Sequence, residues 1–151
     1  MIIIFLTLVS LFNVGFGLWV MLDPVQVMEM MLTWQTPGAA VLPDRDLIQP
    51  ATIGEFRALL GGLILALGLV TLRCLRSPEY AVWLQPLAWV FLGLALARFS
   101  SLMLDGISTY TIVAASVEVA TAWALGVQAQ RLQSMGELPE EEFEEEELEE
   151  Y

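Results

Sequence analysis

Four stretches of this chain are each apolar for long enough to cross a bilayer, and that fact restricts its fold more than any motif. A helix rising 1.5 Å per residue needs roughly 20 mostly apolar residues to span the hydrocarbon layer. The runs at 2–22, about 53–72, about 82–104 and about 107–132 reach that length. In lipid every backbone polar group must be satisfied within the chain, so such runs fold as helices. The sequence therefore predicts an all-α, polytopic integral membrane protein, a four-transmembrane-helix bundle. Its 151 residues are 57% hydrophobic, too apolar for an ordinary soluble domain of that length. The first run, "IIIFLTLVSLFNVGFGLWVML", lacks a basic flank and a small-residue cleavage site. It reads as a retained helix rather than a signal peptide.

Between the first two spans lies a long connection, Asp23–Thr52. It opens "DPVQVMEMMLTW", where Asp23 can cap a helix and Pro24 suits its first turn. Val27, Met28, Met31 and Trp34 recur at helical spacing, which predicts a short helix lying in the interface or packed on the bundle top. "TPGAAVLPDRDLIQP", with three prolines, reads as loop. The chain divides into a transmembrane domain, 1–135, and an acidic tail, 136–151. Ten of the 18 acidic residues fall in the last fifteen positions, a block expected to be solvated and disordered. The tail is repelled by an anionic leaflet but could meet a soluble partner.

All six basic residues are arginine. Arg73, Arg76 and Arg131 share one side of a four-span threading, while Arg45 lies in the long loop on the other. By the positive-inside rule both termini are cytoplasmic and the first loop is outside.

Five ionisable residues lie within the spans: Glu55, Arg57, Arg98, Asp105 and Glu118. A charge at the bilayer centre costs about 2.5–3.5 kcal/mol even on the lenient insertion scale, so such residues should face the interior and pair. Antiparallel threading puts all five in the outer half. Arg98 and Asp105, seven residues apart, share a stripe with Ser101 between them. Thr111, Ala115 and Ala122 make a small-residue stripe around Glu118. Small residues also repeat every four positions at Gly54, Ala58, Gly62 and Ala66, and at Gly93, Ala97 and Ser101, as faces for close helix packing. Arg57 shares a different stripe with Gly61, Ile64 and Gly68, and Glu55 points elsewhere, so these two suit different neighbours.

The absence of histidine and the lone Cys74 argue against metal ligation, histidine-bound haem and thiol-relay chemistry. No nucleophile–base arrangement appears, so the reading leans away from an enzyme. Scattered arginines and a net charge of −12 argue against nucleic-acid binding. No cofactor is identified; a lipid or quinone is compatible with the polar cluster, as is a homo-oligomer. Three functions stay open. The cluster binds a small amphiphile, lipid headgroup or quinone-like molecule; or its ion pairs merely lock helix packing in an assembly subunit; or it couples proton or ion transport.

The set "EFRALLGG", "GLALARFSSLMLDG" and "ASVEVATAWALG" resembles a small bacterial membrane family, domain of unknown function 4345. The residues carrying the likeness are Glu55, Arg57, Ala58, Gly61, Gly62, Arg98, Ser101, Asp105, Gly106 and Glu118. Ala97 stands where that family's pattern has glycine, and Leu60 where an aromatic is common. The likeness covers roughly Glu55–Gly126 and implies a bacterial inner-membrane location, but no activity. A looser similarity, resting on "RALLGG" and the four-span plan, is to DoxX-like membrane proteins, some of which are linked to quinone or thiol redox systems.

Overall fold

A computed structural model describes residues 1–35 and 48–134. The rest of the first loop, with Arg45, and the acidic tail lie outside the described residues. The helices are α1 (Ile2–Leu22), α2 (Pro24–Gln35), α3 (Pro50–Phe56), α4 (Leu63–Arg76), α5 (Leu84–Leu104) and α6 (Thr109–Ser134). Among the described residues there is no strand.

Four segments are long and apolar enough to cross a membrane: Ile2–Leu22, Pro50–Arg76, Pro78–Leu104 and Thr109–Ser134. Only 17–33% of their most apolar windows is buried inside the chain, so most of that surface needs a lipid solvent. The chain is a multi-pass membrane protein.

Helix boundaries follow local chemistry. Asp23 caps α2 as its sequence suggests, its Oδ1 accepting the Gln26 N–H at 3.1 Å. The third span begins earlier than its apolar run, because Pro78 starts a 3₁₀ turn, Pro78–Trp83, that feeds α5. The fourth begins later than residue 107. Gly106 has φ +106°, a conformation that favours glycine, and turns the chain between α5 and α6.

The second span is continuous but not uniform. Between α3 and α4, residues Arg57–Gly62 form a π-helical turn, and the Leu63 N–H bonds Ala58 O five residues back. The extra residue shifts the helical phase, which overturns one expectation. Gly54, Ala58 and Ala66 do not share a packed face but are exposed, and Gly62 is half-buried.

The packed face instead carries Gly61 and Gly68 against α1. A methyl group added at Gly68 would lie 2.7 Å from Ser10 O, and one at Gly61 would lie 2.9 Å from Met21 Cγ. Gly17 answers from α1, where an added methyl would lie 2.6 Å from Leu65 N. Two helical hairpins result: α1 with the second span, and α5 with α6. Ala115 and Ala122 of α6 are buried as their stripe suggests. Gly93 is exposed, with nothing within 4 Å of an added methyl, so its expected packing role fails.

The hairpins meet at the end that carries the N-terminus. There Leu6, Leu67, Cys74, Leu84, Phe91 and Leu125 belong to one buried cluster. At the opposite end α2 packs inward through Val25 and Val27, while Trp34 stays 71% exposed. Trp19 ties α1 to α2 by donating its indole N–H to Gln26 Oε1 at 3.2 Å.

The glycine seam sets a measurable expectation. Gly68→Ala forces backbone apart and should destabilise the purified protein by about 1–3 kcal/mol. Gly93→Ala enters open space and should be neutral or slightly stabilising through helix propensity. Thermal unfolding in one detergent compares the two directly; equal midpoints would remove the seam from its structural role.

Candidate functional site

At the end where α2 lies, a cavity of about 610 Å³ opens between the hairpins. Its polar wall comes from α5, α6 and the turn between them: Arg98, Ser101, Asp105, Tyr110, Thr111 and Glu118. Its apolar lining includes Met31 from α2, Leu60 from the π turn, and Leu94 and Ala97 from α5. Ala97 therefore faces the cavity rather than a packed helix.

The central contact joins α5 to α6. Arg98 Nε donates to Glu118 Oε1 at 2.7 Å, a charge-assisted hydrogen bond. The Arg98 side chain is 32% exposed and that of Glu118 only 12%. The second carboxylate oxygen, Glu118 Oε2, is buried and has no hydrogen-bond partner among the described residues. Such an atom carries the full cost of desolvation without return. The guanidinium also stands over Tyr110, 5.7 Å from the ring centroid, within cation–π range.

Asp105 sits at the mouth. Its Oδ2 accepts the Ser101 hydroxyl at 2.7 Å, so the Arg98–Ser101–Asp105 stripe is occupied by a local bond at its outer step. Asp105 is exposed, and no cation pairs with it among the described residues.

Glu55 and Arg57 do not join this group. Arg57 Nε donates to Met21 O at 2.9 Å. That carbonyl belongs to the last turn of α1, where helix ends lack intrahelical donors and the dipole favours a cation. Glu55 is exposed and makes no ion pair among the described residues. The five charges expected in one cluster thus divide into three at the cavity and two elsewhere.

Sequence reasoning passed over Tyr110 and Ser108. Tyr110 lies eight residues before Glu118, close to the Thr111–Glu118 face, and helical spacing alone carried that signal. Ser108 lines the cavity from the turn, where no periodicity points to it.

A family model described as "Domain of unknown function (DUF4345)" matches residues 1–128. The chain belongs to this family. The match takes in α1 and α2 as well as the charged spans, more than the motif residues alone cover. No curated protein and no solved structure matches the chain.

The geometry of this DUF4345 protein makes the ion pair testable apart from any ligand. Arg98→Ala strands both Glu118 oxygens and should cost about 2–3 kcal/mol, below the range for a fully buried pair because Arg98 is partly solvated. Removing both side chains should cost less than the two single changes added together. A double-mutant cycle on unfolding free energy measures that coupling, and strict additivity would mean the pair does not interact energetically.

Proposed function

We propose that this protein binds a small amphiphile, a lipid headgroup or quinone-like molecule, with an anionic or carbonyl group at Arg98 and its apolar part against Met31, Leu60 and Leu94. One observation carries the reading: the Arg98–Glu118 pair forms the wall of a cavity of about 610 Å³. Small-molecule sites typically enclose about 300–1,000 Å³, mostly apolar with a few convergent polar groups. A pure helix lock would consume its polar groups. Here Arg98 spends only Nε on Glu118, and its other two nitrogens have no hydrogen bond among the described residues. Ser108, Tyr110 and Thr111 add hydroxyls around the same space.

Native mass spectrometry of the gently solubilised protein should reveal a co-purifying lipid or quinone. Arg98→Ala should lose it. Absence of any adduct on the wild type, or an unchanged adduct on the variant, would sink the binding reading. The charge swap Arg98→Glu with Glu118→Arg separates the roles further, since restored folding without restored adduct is expected of a site.

The setting we propose is a bacterial inner membrane, with both termini cytoplasmic. Arg73 and Arg76 close α4 and Arg131 lies in the last turn of α6, a basic excess on the side of the termini. The cavity then opens toward the outer leaflet. A fluorescent protein fused after Tyr151 should fluoresce, and alkaline phosphatase in the same place should be inactive; active phosphatase would reverse the orientation.

A further inference from the structure

Charge balance at the cavity narrows the ligand class beyond an amphiphile with an anionic or carbonyl group. Among the described residues three formally charged side chains line it: the Arg98 guanidinium and the carboxylates of Asp105 and Glu118. Glu118 already holds Arg98 through Nε at 2.7 Å, and its other oxygen is buried, so its charge is spent inside the wall. Two groups remain to meet a ligand. The Arg98 nitrogens beyond Nε present a fork of N–H donors, and Asp105 presents Oδ1, which has no hydrogen bond among the described residues.

A plain anion at Arg98 would enter a site already one negative charge in excess and would face Asp105. Like charges brought together in a partly desolvated site repel by kilocalories, which is how a site rejects a wrong partner. A plain cation at Asp105 would leave the Arg98 fork without an acceptor. A group bearing both signs satisfies both. Arg98 lies on α5 and Asp105 just past its end, seven residues on, about 10 Å of backbone rise. Both side chains line the same cavity, so an ammonium and an anion joined by a short linker can meet Asp105 and Arg98 with a charge-assisted hydrogen bond at each end.

We infer that the cavity recognises a zwitterionic amino-phosphate group, its phosphate on Arg98 and its ammonium on Asp105. This rests on the binding reading above. The source is either the headgroup of a membrane lipid or the free amino-phosphate in water.

The test uses the full chain in detergent, with phosphatidylethanolamine and phosphatidylglycerol of equal chain length added at equal concentration. Native mass spectrometry should show phosphatidylethanolamine retained by at least about fivefold, roughly 1 kcal/mol of discrimination. Asp105→Asn, at an exposed position, should bring that ratio to near one. Equal retention by the wild type, or a preference for phosphatidylglycerol, overturns the inference whether or not the variant folds. If both lipids are retained equally yet lost in Arg98→Ala, the zwitterion is wrong and the amphiphile site stands. If the wild type retains neither lipid and soluble phosphoethanolamine does not bind, the zwitterion is wrong, and the amphiphile reading falls with it only if the gently solubilised protein also carries no adduct. Binding of soluble phosphoethanolamine without lipid retention upholds the recognised group and places its source in water.

Discussion

The backbone of the second span approaches α1 more closely than any side chain would permit. Gly17, Gly61 and Gly68 supply that approach, each with no room for a methyl group. In lipid there is no hydrophobic force between helices, so association depends on this kind of intimate contact. Its consequences run outward. With Gly61 held against Met21, Arg57 comes within reach of the Met21 carbonyl and Leu60 lines the cavity. A seam of three glycines thus orients one wall of the site without contributing a polar atom to it.

The other wall depends on chemistry of a different kind. The bond between Arg98 and Glu118 joins α5 to α6 within a turn of the buried Ala95 and Ala115, and it leaves the rest of the guanidinium available. Among the described residues the cavity's polar side chains therefore all come from the second hairpin, beside Leu94 and Ala97, while the first hairpin and α2 contribute only apolar ones. A molecule with a head and a tail fits such a division better than a uniformly polar or apolar one.

The apolar runs made the four spans legible from the sequence, because bilayer thickness and backbone satisfaction favour a helix there, and Asp23 with Pro24 made the start of α2 legible. The packing seam was only half legible. Two small-residue stripes competed on the second span, and the one with regular four-residue spacing lost because the π turn breaks its phase. Periodicity assumes an unbroken helix, and no residue pattern announces that extra step. The site divides the same way. Arg98, Asp105 and Glu118 could be brought together by threading and depth alone. Arg57 lies apart from them because its partner is a backbone carbonyl, which charge counting does not see, and Tyr110 escapes notice because an aromatic ring carries no formal charge.

That Arg98 and Glu118 reside on consecutive helices bears on how the protein reaches its membrane. An arginine emerging alone into hydrocarbon resists insertion, whereas one that enters with its carboxylate partner travels as a neutral, hydrogen-bonded unit. The short turn at Gly106 lets α5 and α6 arrive as one hairpin in which the two charges already face each other. The order of synthesis puts the glycine-lined hairpin in place first. The cavity is therefore complete only when the charged hairpin comes to rest beside the glycine-lined one.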